Sequence, residues 1–112
     1  MKNLLRFAAA GILAGSSLWV HAFEEQQLYG TWCFYEQEES GNIAPAQVNV
    51  TFNTDGTYQW MDTQVQQKGT WRIRENDLVL SETGAHKLVS VSGHRIVMTR
   101  DVTMKMRKDS CF

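Results

Sequence analysis

The sequence predicts an all-β protein: eight short antiparallel strands in an up-and-down meander, closed into a small barrel behind a removable leader. Three observations carry this. Turn residues recur at short intervals, the runs between them alternate with period two, and no segment after residue 27 repeats apolar residues at the 3.6 spacing of a helix. Hairpin-length connections imply antiparallel neighbours. With no helix to cover its edges, such a sheet is best satisfied by closing on itself.

The leader comes first. Lys2 and Arg6 give a positive start, the chain from Leu4 to Val20 is almost wholly apolar or small, and Val20-His21-Ala22 ends on small residues at the positions a signal peptidase reads. The apolar run is too short, and too softened by Gly11, Gly15, Ser16 and Ser17, for a spanning helix. Residues 1–22 are therefore read as a signal peptide and residues 23–112 as a single exported domain, periplasmic or secreted, with no integral membrane span after cleavage. Its length suits one core. The chain carries 11 basic and 12 acidic residues, and loss of Lys2 and Arg6 leaves the remainder more acidic. That balance gives no support for a nucleic-acid partner. A monomer is expected.

A possible helical turn from Glu24 to Leu28 leads into a first strand at 28–36. The stretch 37–46, with Ser40-Gly41-Asn42 and the only proline, Pro45, reads as a loop. Residues 47–53 alternate cleanly, with Val48, Val50 and Phe52 on one face. Thr54-Asp55-Gly56 is a hairpin turn into 57–62, which places Tyr58 and Trp60 on one face. Residues 65–74 put Trp71 and Ile73 inward and Arg72 and Arg74 outward. Short strands follow at 78–82, 86–92, 94–100 and 102–109, separated by turns at Thr83-Gly84, Gly93 and Asp101.

The chain has two cysteines, Cys33 and Cys111. In an exported domain an even count reads as a disulfide. Parity agrees. Trp32 and Phe34 share one face of the first strand and Cys33 the other; Met104 and Met106 share one face of the last strand, and Cys111 falls with Lys105 and Arg107 on the other. If the apolar faces point inward, both cysteines point outward, provided strand geometry persists to Cys111. They meet if the first and last strands are neighbours, as barrel closure requires. Glu36, Glu38 and Glu39 would then lie near Lys105, Arg107 and Lys108.

Leu28-Tyr29-Gly30-Thr31-Trp32, after a possible helical turn, resembles the Gly-x-Trp start of the lipocalin-like (calycin) barrels. Asn53-Thr54-Asp55-Gly56-Thr57-Tyr58 and Gly69-Thr70-Trp71 are similar to small bacterial lipocalin-like domains with the same meander. The resemblance implies an eight-stranded lipocalin-like barrel. It also implies that Gly30 and Trp32 are closure residues, with Trp32 at the closed end beside a basic residue of the last strand, Lys108 or Arg107. The chain is shorter than a full lipocalin, which implies a shallower cup.

Catalysis finds little support. His86 and His94 are the histidines left after the leader, and both stand at strand starts beside turns, where exposure is expected. No Gly-x-Ser-x-Gly elbow is present. The chain is read as non-catalytic, without a cofactor. The leading expectation is a binding module for a small apolar ligand or a protein partner. Phe52, Tyr58, Trp60 and Trp71, with Met98, Met104 and Met106, are candidates to line its interior. Aromatics in a narrow barrel can equally fill it.

An alternative is a periplasmic Cu(I) carrier using His94, Met98, Met104 and Met106. Thioethers are soft donors, and Met104-Lys105-Met106-Arg107 locally resembles the Met-x-Met segment of small copper-carrying barrels. Packing is the first expectation for this stripe, because methionine is an adaptable core residue. A protein inhibitor or interaction module is a further alternative. Asn49-Val50-Thr51 fits a glycosylation sequon, which the bacterial-looking leader makes a chance match. If the leader is cleaved as read, N-terminal sequencing of exported protein will begin at Phe23; a soluble mature form retaining Met1 would refute it.

Overall fold

A computed structural model describes residues 23–112. The strands are β1 (Gly30–Glu39), β2 (Asn42–Phe52), β3 (Thr57–Met61), β4 (Gln66–Arg74), β5 (Asp77–Leu80), β6 (Gly84–Val91), β7 (Arg95–Thr99) and β8 (Thr103–Lys108), preceded by a 3-10 turn at Glu25–Gln27. Each strand pairs antiparallel with the next and β8 pairs back onto β1, so the sheet is a closed barrel. The predicted meander and its turns are all present. The proposed leader lies outside the described residues, and among these no helix is long and apolar enough to cross a membrane.

Residues 37–46, read as a loop, are not one. β1 runs to Glu39, β2 starts at Asn42, and Ser40 (φ 52°) and Gly41 (φ 83°) make the tight turn between them. Two successive positive φ values suit the twist of a two-residue hairpin. Pro45 lies within β2, opposite Glu36. β3 reaches only Asn49–Phe52 of β2, so Pro45 is on a stretch whose other edge is unpaired, where a missing N–H costs no ladder bond. The register of β1 slips between Phe34 and Glu36 against both neighbours. Beyond this bulge Gln37 takes the inward parity that Trp32 and Phe34 hold below it. The β1–β2 hairpin thus projects past β3, while β1 stays paired with β8 as far as Glu38.

Successive turns define two ends. The chain entry, the 53–56, 75–76 and 92–94 turns and the end of β8 form the base; the 40–41, 62–65, 81–83 and 100–102 turns form the rim. The base is plugged. Leu28 is fully buried, and its carbonyl accepts the Trp32 indole N–H at 2.8 Å. The Lys108 ammonium lies 4.6 Å from the centre of the Trp32 ring and donates to the Tyr29 carbonyl at 2.7 Å. Lys108, not Arg107, is the basic partner of Trp32. Gly30 makes room for it: its φ is +112°, and a Cβ there would stand 2.7 Å from Lys108 Nζ. Trp71 completes the plug, donating to the Asn53 carbonyl at 3.0 Å and packing on Phe52 and Tyr29.

The Cys33–Cys111 disulfide is formed, with 4.9 Å between Cα atoms. Strand geometry does not persist to Cys111, however. β8 ends at Lys108, and Asp109 (φ 88°) turns the tail over the outer face of β1 and β2. Asn49 holds it there, accepting from the Cys111 N–H at 2.7 Å and donating to Ser110 Oγ at 2.9 Å. Cys33 points outward as parity requires, yet the tail leaves it only 2 % exposed. Closing this loop stabilises by roughly 4 kcal/mol in the chain-entropy model. On the same seam Lys105 pairs with Glu36 at 3.1 Å and reaches Glu38 at 4.0 Å.

Trp32→Ala is expected to cost roughly 3–5 kcal/mol in denaturant titration, as for a large aromatic removed from a core. Gly30→Ala should also destabilise, and less so when Lys108 is alanine, because the clash partner is then gone. A near-neutral Trp32→Ala would contradict the plug.

Candidate functional site

Period-two alternation turns one side chain in two toward the barrel axis, and the core follows from it. Phe52, Tyr58, Trp71, Met98, Met104 and Met106 are all buried there, in contact with Val50, Leu78, Leu80, Leu88 and Ile96. Trp60 is half-buried and packs on Phe34, with ring centres 5.7 Å apart. The Tyr58 hydroxyl donates to Gln67 Oε1 at 3.0 Å, and burial raises its pKa above the ordinary phenol value. The residues expected to line a ligand cup therefore pack against one another.

Recesses lie on the outside and at the rim. One of about 330 Å³ at the base is bounded by Phe23, Glu24, Tyr29 and Ile73. Another of about 420 Å³ lies beside the disulfide between Tyr35, Pro45 and Arg107. A third, of about 320 Å³, opens at the rim between the inner face of the projecting hairpin and the 62–65 turn, lined by Phe34, Gln37, Ala46, Val48, Asp62 and Gln64. Among the described residues, Phe52, Trp71, Met98, Met104 and Met106 line none of these. Ile43 on the hairpin and Val65 in the adjoining turn are more than half exposed, at 63 % and 51 %.

The two histidines part company. His94 is exposed in the base turn between β6 and β7, away from the interior stripe. His86, expected to be exposed, is only 5 % so. It follows the inward parity of Leu88, opposite Leu78 on β5, in the half of β6 nearer the rim. Its Nε2 lies 2.9 Å from Thr83 Oγ1, while Nδ1 is buried without a hydrogen-bond partner. Burial chiefly, and then the Arg100 charge, push its pKa below the ordinary histidine value; Asp101 opposes them. Proximity of His86 to a turn hid its burial, although its spacing from Leu88 was the available signal.

The interior side of β6, β7 and β8 carries a second cluster. Leu88 faces Met98 across β6–β7, and Met98 faces Met104 across β7–β8; Met106 faces Ile96 one step closer to the base. Met98, Met104 and Met106 thus share one inner face, and His94 does not join them. Among the described residues no three His, Cys, Asp or Glu side chains gather as a metal site.

This geometry recurs in solved structures. A lipocalin-like protein from Bacteroides uniformis superposes with a TM-score of 0.62 at 13 % identity, covering 74 % of this chain and 99 % of its own. The fold is lipocalin-like. An uncharacterized protein from Bacteroides eggerthii matches this lipocalin-like barrel with a TM-score of 0.61 at 12 % identity, over 73 % of this chain and 99 % of its own. No family model matches the chain, and no curated protein does.

His86 gives a signed pH dependence. An unfolded histidine titrates near ~6.5. Between that value and the lower folded one, the unfolded chain binds the extra proton. Stability is then at its full value above roughly pH 6.5 and declines as pH falls, by at most about 1.4 kcal/mol per pH unit for one proton. Denaturant midpoints from neutral to mildly acidic pH should show this slope in the wild type and lose it in His86→Gln; identical slopes would refute the assignment.

Proposed function

We propose that this lipocalin-like barrel is an exported, non-catalytic binding module that engages a protein partner at its rim. The observation that carries this is the contrast between interior and rim. The interior is filled by packed side chains, whereas the rim bears a projecting hairpin, a shallow recess and two exposed aliphatic side chains, Ile43 and Val65. A packed interior favours contact at the surface over capture of a deep apolar ligand. Loops on a rigid scaffold are the usual carriers of such contacts. The disulfide accords with an oxidising compartment.

A catalytic reading would start from the one buried histidine among the described residues, His86. Thr83 Oγ1 and His86 Nε2 form a hydroxyl–imidazole pair, but no carboxylate accepts from Nδ1 to orient the ring, as a triad needs. The second binding reading, a small apolar ligand, has the rim recess as its place, since Phe34 and Val48 supply apolar surface there.

Photo-crosslinking separates these readings. A crosslinkable residue at Ile43 or Val65 should capture one discrete protein in the native exported fraction, while the same group at Val89, exposed on the side wall, should not. Ile43→Asp combined with Val65→Asp should abolish capture while leaving the melting temperature little changed. Equal capture from all three sites would refute a rim interface. Stoichiometric quenching of Trp60 fluorescence by a fatty acid would favour the small-ligand reading instead.

A further inference from the structure

We infer that His86, Met98 and Met104 form a Cu(I)-binding site on the inner face of three consecutive strands, β6, β7 and β8. The sequence suggested His94 as the nitrogen donor beside the methionines; the register replaces it with His86. Met98 is the partner of Met104 across β7–β8 and of Leu88 across β6–β7. His86 lies two residues from Leu88 on the same face, which makes it the diagonal neighbour of Met98, at a spacing of roughly 7–8 Å that long side chains bridge. Met106, opposite Ile96, belongs to the layer nearer the base.

The imidazole is the independent observation. A buried polar nitrogen ordinarily finds a partner, and His86 Nδ1 has none. Its other nitrogen lies 2.9 Å from Thr83 Oγ1; in the tautomer whose Nε2–H donates to that hydroxyl, Nδ1 keeps its lone pair, and this is the tautomer the site requires. A ring nitrogen fixed through a hydrogen bond at the opposite nitrogen is how metal-ligating histidines are oriented.

The donor set selects the ion. One imidazole and two thioethers suit Cu(I). Hard cations need oxygen donors, and zinc prefers thiolate or several imidazoles. The site would be dry, since His86 is 5 %, Met98 0 % and Met104 6 % exposed, and dryness protects Cu(I) from water. Arg100 and Asp101 near His86 bring opposite charges, with the Arg100 effect the larger and Asp101 offsetting part of it. This site is independent of the rim interface proposed above.

The test is competition for Cu(I) against a chromophoric Cu(I) chelator, under inert gas and without thiol reductant, so that Cys33–Cys111 stays closed and offers no thiolate. Wild type should take one Cu(I) per chain, and X-ray absorption should show nitrogen and sulfur scatterers together. Met98→Leu and Met104→Leu remove the donor while keeping volume, so stoichiometric binding should be lost with the fold intact. Thr83→Val should weaken affinity by roughly 10–100-fold through loss of ring orientation. Met106→Leu and His94→Ala should bind like wild type. Failure of wild type to compete, undiminished binding by either the Met98 or the Met104 variant, or loss of binding in His94→Ala would each overturn the site. His86→Gln adds a check where it folds, and the two leucine variants decide the matter where it does not.

Discussion

Closing the sheet requires the first strand to find the last, and that seam is where this molecule concentrates its interactions. On the inside, Lys108 brings an ammonium to the face of Trp32 and to the carbonyl of Tyr29. A cation over an indole is worth about 0.5–2 kcal/mol depending on how far water is excluded. Its greater role is geometric: it ties the end of β8 to the residue before β1. Gly30 is the condition for that approach, because any side chain there would occupy the ammonium's place. On the outside, the disulfide and the Lys105–Glu36 pair hold the same two strands, and Asn49 of β2 binds the tail that follows β8.

Much of this architecture was written in the sequence. Alternation such as Val48, Val50, Phe52 marks a strand with one face on a core, and the motif around Trp32 marked the base. The hairpin at 37–46 was illegible for a physical reason. It lies at the rim and outruns β3, so nothing imposes an apolar stripe on Gln37, Glu38 and Glu39 although β1 stays paired with β8 as far as Glu38. The bulge after Phe34 then inverts the parity that a reader would extrapolate. Pro45 reads as a strand breaker, but the pairing of β2 with β3 ends at Asn49 and leaves its edge free there.

The interior posed a different difficulty. Sequence parity put the right aromatics and methionines inside, but parity cannot say whether inward side chains enclose a space or fill it. That depends on barrel radius, which only closure fixes. Histidine was misjudged for a related reason: beside a turn, both exposure and burial are open to it, and the residue two positions along, Leu88, decided the matter. The result is a molecule packed through its interior and plugged at the base, with Ile43 and Val65 exposed at its rim. Asn49 illustrates how local context overrides a motif. It sits in a sequon, yet both polar atoms of its side chain are spent holding the tail.

The disulfide spans 78 residues of sequence, and this has a consequence for timing. A ribosome delivers Cys33 long before its partner. Throughout that interval β1 has one of its two neighbours missing, and the thiol waits unpaired. With only two cysteines in the chain, no wrong intramolecular bridge can form during the wait. The covalent lock therefore records completion: it closes only after the last strand has arrived, and a truncated chain lacking the tail would keep a reactive thiol as the mark of its incompleteness.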